Sequence, residues 1–299
     1  MRIGIDLGGT KTEAIALDEG GEELFRRRVA TPREYEGSLG AIATLVGEAE
    51  RTVGRTGTVG VGIPGVVSNV TGLVKNANST WLNGRPLARD LEERLGRPVR
   101  LMNDANCFAL SEAADGAGAG AEVVFGVILG TGVGGGVVVR GAVHVGPNQV
   151  AGEWGHSPLP WMTAEEHPGP ECYCGRRGCI ETYLSGPGME RSHRERTGRA
   201  LSTRALVEAA AAGDAEAAAT LEAYHDRLGR GLASVVHVLD PDVVVLGGGM
   251  SNLPGLAEAA ERALARWVFS DTLRTRVVRN RHGDSSGVRG AAWLWAAEG

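Results

Sequence analysis

A fold of two α/β lobes is what this 299-residue sequence predicts, and three observations predict it. A strand, a glycine turn and a second strand open the chain at residues 3–17 and recur at 123–140, the signal of an internal duplication. Between the copies, residues 115–122 read DGAGAGAE, small and flexible, the composition of a crossing between lobes. The length suffices for two ordinary domains, each with a core of its own.

Composition narrows the function before any motif is read. Hydrophobic residues are 42% and charged residues 22%, the balance of a globular chain rather than a disordered or fibrous one. The net charge of -5 comes from interleaved signs. A nucleic-acid surface needs clustered Lys and Arg, so no nucleic-acid partner is expected. No apolar run reaches the length of a membrane span, and the opening MRIGIDLGGT has no signal core. Together with free thiols, this predicts a cytoplasmic protein with no membrane partner. The 46 glycines fall largely in clusters, and there backbone N–H groups can close on a phosphate.

The first lobe begins RIGIDLGGTKTEAIAL. Alternating apolar residues 3–7 and 12–17 flank Gly8-Gly9-Thr10 and predict a β-hairpin. Gly8, Gly9, Thr10 and Lys11 offer backbone, hydroxyl and ammonium donors to an anion; the alternative is an ordinary hairpin turn. The spacing is not that of a Walker A loop. Asp6, at the strand end, is a candidate Mg2+ ligand, acting through water because Mg2+ keeps its hydration. A third strand is predicted over 22–30, and a helix over 36–53 with Leu39, Ile42, Ala43, Val46 and Ala49 on one face. A strand over 58–63 ends at Pro64-Gly65, and Gly60 and Gly62 within it would let other backbone come near. Residues 66–83 read as a polar loop. Its Asn76, Asn78, Ser79 and Thr80 are either solvated or directed at substrate hydroxyls, and Trp81 follows, half-buried. A short helix at 87–95 and a strand at 99–102 lead into NDANCFALSEA at 103–113. Asp104 lies where strand gives way to helix, an edge that α/β folds use for catalytic groups and equally a place for a helix cap. The residues leave both roles open. Cys107 falls in an apolar-periodic run and reads as core.

In the second half, a strand over 123–129, a glycine turn over 130–136 and a strand over 137–140 repeat the first hairpin. Thr131, Gly132, Val133, Gly134 and Gly135 repeat its donors, and two such turns facing one another could cradle one triphosphate. Helices are predicted over 202–212 and 215–239, the latter stopped by Pro241. A strand over 243–246 then meets Gly247-Gly248-Gly249, read as opening a helix over 253–267 to make an anion or nucleotide site. After a strand at 277–278, Asp284 or Ser285 caps a final helix. Its Trp293 and Trp295 read as packing rather than as a binding platform.

The segment 153–181 carries the densest chemistry. His156, Cys172, Cys174 and Cys179, with C-x-C-x4-C spacing, make a full tetrahedral set for a structural zinc ion. The competing reading is a disulfide and a spare thiol. It is disfavoured because adjacent C-x-C thiols pair with strain and the chain is neither short nor cysteine-dense. Glu153 and Glu181 flank the thiols and could face a polar substrate.

Taken together, IDLGGTK at the start, GVGIPG at 60–65, NDANCFALSEA, LGTGVGGG at 129–136, GEWGH with C-x-CG-x2-GC-x-E, LGGGMSN at 246–252 and HGDSSGVRGAAW resemble the ROK family of sugar kinases, in the actin-like ATPase superfamily. The resemblance covers essentially the whole chain. NSTWLNG, GEWGHSPLPWM and the tail look most like bacterial fructokinases (manno(fructo)kinases), with N-acetylglucosamine kinases the nearest competitor. The resemblance implies an actin-like (ribonuclease H-like) fold: 1–115 plus 285–299 as the small lobe, 116–284 as the large lobe, and ATP and sugar in the cleft. It implies phosphorylation of a hexose C6 hydroxyl by ATP, fructose foremost, with N-acetylglucosamine or glucose as alternatives. Asp104 becomes the catalytic base. Asn103, Glu153, His156 and Glu181, with Gly65 and Asn78, match sugar-binding positions. Gly8–Lys11 and Thr131–Gly135 would hold the phosphates, Gly247–Gly249 the adenosine side, and Mg2+ would sit near Asp6. His156 would hold zinc through one ring nitrogen and a sugar hydroxyl through the other. A homodimer is also implied, as is lobe closure about hinges near 114–122 and 284–286. Repressors of the family carry a helix-turn-helix ahead of the first strand, for which a strand starting at Arg2 leaves no room. A non-catalytic sugar sensor is the remaining alternative; it would need neither Asp104 nor phosphate loops. The Pro- and Glu-rich insert 157–171 departs from the pattern, and its His167 is a spare potential ligand.

Overall fold

The computed structural model of the chain describes residues 1–295. The chain forms two compact units: Met1–Ala119 joined by the chain from Arg281 onward, and Gly120–Asn280. Residues 296–299, placed in the first lobe from sequence, lie outside the described residues. No described helix is long and apolar enough to cross a membrane.

The first unit runs β1 (Arg2–Leu7), β2 (Lys11–Leu17), β3 (Glu23–Ala30), α1 (Tyr35–Val53), β4 (Thr58–Ile63), a two-residue pair β5 (Val66–Val67) and β6 (Val74–Lys75), α2 (Leu87–Leu95), β7 (Val99–Asn103) and α3 (Asp104–Ala114). Its sheet has the order β3-β2-β1-β4-β7, antiparallel across the first three strands and parallel from β1 to β7. The second unit runs β8 (Val123–Leu129), β9 (Val133–Val139), β10 (Ala142–Val143), α4 (Glu181–Leu184), α5 (Gly186–Thr197), α6 (Thr203–Ala211), α7 (Ala215–Leu239), β11 (Val243–Gly247), α8 (Leu256–Trp267) and β12 (Arg276–Arg279). Its sheet order β10-β9-β8-β11-β12 repeats the first, strand for strand and direction for direction. The duplication signalled by two short glycine turns is therefore a duplication of whole sheets.

Period-two alternation decides what covers the first sheet. Ile3, Ile5 and Leu7 bury with Leu39, Ile42 and Val46 of α1. Gly4 and Asp6 take the other face, where the last helix, α9 (Ser286–Trp293), lies. The approach is backbone to backbone. A Cβ on Gly4 would overlap the Val288 carbonyl, one on Gly60 the Ala291 carbonyl, and one on Gly290 the Cys107 carbonyl of α3. Gly60 thus does what its place in the strand suggested. Ile15 and Leu17 complete the contact with Val288 and Ala292. Trp293 and Trp295 are half-buried, and Arg2 and Arg100 lie over their rings at 4.5 and 4.1 Å.

The chain leaves and re-enters this unit at one buried carboxylate. Glu112 is fully buried. It accepts from the Ala117 N–H (2.9 Å) on the way out, and on the return from Arg281 N–H (3.0 Å), His282 N–H (3.2 Å) and Ser286 Oγ (2.7 Å). Asp115 joins it, bonded to His282 Nε2 at 2.9 Å and to Arg289. Burial works against ionisation of Asp115, but the His282 and Arg289 bonds outweigh it and hold its carboxyl below the usual range.

Three expectations are corrected, and one helix forms for which the sequence carries no expectation. The second glycine turn is short: Gly130 N–H bonds the Gly132 carbonyl (2.9 Å) and β9 begins at Val133. Gly134 and Gly135 lie in the ladder opposite Ile128 and Val127, and a Cβ on Gly135 would sit 3.0 Å from the Gly152 carbonyl and the Trp154 ring. The triglycine turn opens a 3-10 turn, Gly249–Asn252, and α8 starts only at Leu256. Pro254 forces Leu253 into extended backbone and Gly255 is left-handed, so the helix cannot start earlier. Neither Asp284 nor Ser285 caps α9 by its side chain, since a 3-10 turn over Gly283–Ser285 runs straight into the helix. Finally, α5 has only Met189 and His193 as large buried side chains, so no apolar period announces it; Ser185 caps it by accepting from Gly188 N–H.

Gly290→Ala sets two effects against each other. Ala favours a helix by about 1 kcal/mol, but the overlap with the Cys107 carbonyl forces backbone apart, an overpacking penalty of about 1–3 kcal/mol or more. The expected outcome is net destabilisation, read as a lower urea midpoint. A midpoint unchanged or raised would show that α9 and α3 do not touch at this point.

Candidate functional site

Each unit gathers its own set of candidate residues. In the first, pairing of β1 with β4 and of β4 with β7 sets Asp6 opposite Gly62 and Gly62 opposite Met102, so Asp6 and the head of α3 share the carboxyl edge of the parallel strands. Asn103 is the N-cap of α3. Its Oδ1 accepts from Ala105 N–H at 2.9 Å, while its Nδ2 donates to the Gly65 carbonyl at 3.5 Å. Asp104 is the first helical residue and exposed. Its Oδ1 shares the same Ala105 N–H at 2.8 Å. The capping role left open for Asp104 therefore falls to its neighbour.

Gly65 receives the 66–83 loop closely: a Cβ there would lie 2.8 Å from the Lys75 carbonyl and 2.9 Å from Ala77 Cα. Asn83 clamps that loop, its Oδ1 taking the Ala77 N–H (2.9 Å) and its Nδ2 giving to the Ala77 carbonyl (3.0 Å). Asn78 N–H reaches the Pro64 carbonyl at 3.3 Å. Gly65, Asn78, Asn103 and Asp104 are thus one neighbourhood. Asn83, which the sequence reading did not single out, holds its shape.

The Gly8–Lys11 turn is built as a donor loop. Gly8 N–H bonds the Lys11 carbonyl (3.1 Å), and Thr31 braces the turn from β3's end by donating Oγ1 to the Gly8 carbonyl (2.8 Å) and N–H to the Thr10 carbonyl (3.0 Å). Gly9, Thr10 and Lys11 are exposed. Ser79 Oγ, buried and with no hydrogen-bond partner among the described residues, lies 3.4 Å from where a Gly9 Cβ would be. A buried hydroxyl left without a partner beside exposed amides fits an absent anion. Asp6 is pushed up to about 7, first by burial, then by the charges of Asp104 and Glu13, with Arg28 opposing. A bound dication would reverse that shift, so the position fits a metal-linked water.

In the second unit, a 3-10 turn over Trp154–His156 rides on β9. Trp154 donates its indole N–H to the Gly134 carbonyl at 3.0 Å and meets Phe125 edge-on. Glu153 precedes the turn. Residues 157–159 run back along 178–180, with Leu159 N–H to the Gly178 carbonyl at 2.9 Å and Ile180 N–H to the Ser157 carbonyl at 2.9 Å. That pairing returns Cys179 to His156. Glu181 opens α4, and one of its carboxylate oxygens accepts from Val133 N–H at 2.9 Å, bracing the 130–132 turn. The triglycine turn meets the same place: a Cβ on Gly248 would overlap the Leu129 carbonyl, and Gly186 N–H bonds the Gly130 carbonyl at 2.8 Å.

The ligand atoms of His156, Cys172, Cys174 and Cys179 lie within 4.8 Å of one another. A tetrahedral zinc with Zn–S of about 2.3 Å and Zn–N of about 2.05 Å separates two sulfurs by roughly 3.8 Å, and sulfur from nitrogen by roughly 3.6 Å. Cys174 Sγ and Cys179 Sγ are 3.6 Å apart, and Cys172 Sγ and His156 Nδ1 are 3.6 Å apart. The donor set fits the ion. His167 is not part of it. The insert instead lies against α7, where buried Glu166 bonds Arg227 and Arg230 at 2.8 Å. Burial opposes ionisation of Glu166, but the two arginines and Thr163 N–H bring its carboxyl down to about 2. A cavity of about 730 Å3 behind the insert, walled by Glu166, His167 and Arg227 among others, contains none of the candidate site residues. Tyr173 is the residue the sequence reading passed over: it stands between two thiol ligands with its hydroxyl 2.9 Å from His156 Nε2.

Comparison with known proteins places the whole chain among relatives. A sequence model of the ROK family matches residues 2–298. The chain is 42% identical to an N-acetyl-D-glucosamine kinase of Pasteurella multocida over 100% of both chains, and 42% identical to one of Escherichia coli over 98% of this chain and 99% of that one. Among solved structures, a ROK hexokinase from Thermus thermophilus superposes with a TM-score of 0.87 at 37% identity, covering 98% of this chain and 96% of its own. A ROK family glucokinase from Streptomyces griseus, in complex with glucose and AMPPNP, gives 0.76 at 31% identity, with 98% of each chain covered. The two α/β units, each a mixed sheet flanked by helices, are those of the actin-like ATPase fold.

Purified protein is expected to release about one zinc per chain when its thiols are titrated with a mercurial, and Cys179→Ser to release far less. Equal release from both proteins would remove the cluster as the metal site.

Proposed function

The chain belongs to the ROK family, and on that premise we propose that it is an ATP-dependent sugar kinase that phosphorylates the C6 hydroxyl of N-acetyl-D-glucosamine. The observation that carries the reaction type is the acidic edge of the first sheet, where Asp104 heads α3 beside Asp6 and the Gly8–Lys11 donor turn. The substrate is supported by full-length relatives named for it. They favour N-acetylglucosamine over the fructose that the NSTWLNG and GEWGHSPLPWM motifs suggested.

In this reading Asp104 accepts the proton of the C6 hydroxyl as that oxygen attacks the γ-phosphorus, and the bond to the bridging oxygen of ADP breaks. A carboxylate base contributes modestly to such a step; positioning and charge neutralisation contribute most. Gly65, Asn78, Asn103, Glu153, His156 and Glu181 are the residues assigned to sugar oxygens. Gly8, Gly9, Thr10 and Lys11 serve the phosphates, as do Thr131, Gly132, Val133, Gly134 and Gly135. The exposed turn residues carry that role more readily than the ladder glycines. Gly247, Gly248 and Gly249 serve the adenosine side. Mg2+ supplies charge neutralisation when bound with ATP, and Asp6 would hold it through water. Zinc held by His156 and the three cysteines would supply folding energy to 153–181 and fix the His156 ring.

The same reading includes a homodimer in the cytoplasm, where ATP and reduced thiols are found. Trp161 stacks on Trp267, and exposed Val238 and Phe269 stand close by, an apolar surface suited to a second copy.

Asp104→Asn keeps the oxygen that accepts from Ala105 N–H and removes the base. Expected is a loss of turnover on the order of 100-fold or more with sugar affinity little changed; turnover within a few-fold of wild type would end the assignment. The substrate is tested by ADP release with ATP and Mg2+ over N-acetylglucosamine, glucose, mannose and fructose. The highest kcat/KM is expected for N-acetylglucosamine. A fructose preference would reinstate the motif-based reading, and silence with all four would overturn the kinase.

A further inference from the structure

The proposed sugar contact on His156 is already taken. Nδ1 of the ring points into the thiol cluster, 3.6 Å from Cys172 Sγ. A neutral imidazole ligated at Nδ1 carries its proton on Nε2. That N–H donates to the Tyr173 hydroxyl at 2.9 Å, and the two rings meet edge-on with centroids 5.1 Å apart.

Tyr173 has little else to hold it. It is 83% exposed, so rotating its side chain away exposes little new apolar surface. Its backbone is fixed by contrast. It lies between two cluster thiols, in a turn closed by Cys172 N–H to the Arg176 carbonyl (2.8 Å) and Gly175 N–H to the Cys172 carbonyl (3.0 Å). The hydroxyl can therefore swing out without disturbing the ligands. Glu153 and Glu181 are close enough for their charges to bear on it.

We infer that Tyr173 is a built-in competitor for the sugar's seat on His156, displaced when substrate enters, and that it sets sugar affinity. This rests on the sugar-kinase reading above. The physical reason for displacement is stoichiometric. A phenol accepts one bond from His156 and has a single O–H to share between two carboxylates. A hexose presents adjacent hydroxyls, one to accept from Nε2–H and others to donate to Glu153 and Glu181. The ligand class is thus a polyol with neighbouring hydroxyls, and a lone alcohol would not displace the tyrosine.

The test is calorimetric titration of N-acetylglucosamine, glucose, mannose and fructose into the zinc-loaded wild-type protein and the Tyr173→Phe variant, with zinc content measured on both. Removing the hydroxyl should tighten binding of the preferred sugar roughly three- to tenfold, the worth of one hydrogen bond, with zinc content unchanged. Tyr173→Ser, whose hydroxyl is too short to reach His156, should tighten it likewise. Unchanged affinity overturns the inference. Weaker binding with zinc retained would make Tyr173 a direct sugar contact instead, and loss of zinc would make it a brace of the cluster. If the wild type binds none of the four sugars, the kinase reading itself falls; a failure confined to the variants leaves that reading standing.

Discussion

The first unit depends on one desolvated carboxylate. Glu112 sits in the last turn of α3 with no exposed surface, and a buried carboxylate of this kind is tolerable only when donors surround it. Its donors come from the segment leaving the unit and the segment returning to it. The same four bonds that satisfy the charge therefore determine where the chain departs and where α9 begins. Asp115, His282 and Arg289 repeat the arrangement one turn further on. Residues far apart in sequence are held in one place by the requirement that a charge in a dry interior be paired.

The candidate site depends on a second constraint, the absence of side chains. Gly4 and Gly60 let α9 lie on the sheet, and Gly65 admits the 66–83 loop that carries Asn78. In the second unit, Gly135 and Gly152 bring the His156 turn down onto β9, and a Cβ on Gly155 would overlap the Val133 carbonyl. Glycines that look from sequence like phosphate loops are thus of two kinds. Some form turns with exposed residues, as at Gly9. Others create the close contacts that position histidine, glutamate and asparagine side chains.

Much of this was legible in the sequence because its signals are local. The β-hairpins and α1 follow from apolar periodicity, and the thiol cluster follows from spacing, since C-x-C-x4-C with a nearby histidine has few other uses. What was not legible is tertiary. The length of the second glycine turn depends on Trp154 arriving from twenty residues away. The start of α8 depends on Pro254 acting against the pull of three glycines. α5 is stable through its cap and two buried side chains rather than through an apolar face. Tyr173 carries no signal at all, because a tyrosine between two cysteines gains meaning only when the hydroxyl is seen on His156. The motifs shared across the family mark the sugar-kinase chemistry and do not by themselves separate fructose from N-acetylglucosamine, which is the sugar that the full-length relatives are named for.

The return of α9 to the first sheet has a consequence for the order of events on the ribosome. The second unit is an unbroken stretch of chain and can complete its core as soon as β12 emerges. The first unit, although it is made first, cannot. Gly4, Ile15, Leu17 and Gly60 form a sheet face whose cover is made only after the whole second unit, and until residues 286–293 appear that face is bare apolar surface and Glu112 lacks its returning donors. The half of the protein synthesised first is the half that finishes last. During that interval the nascent chain carries an open β-surface, a natural point of engagement for chaperones.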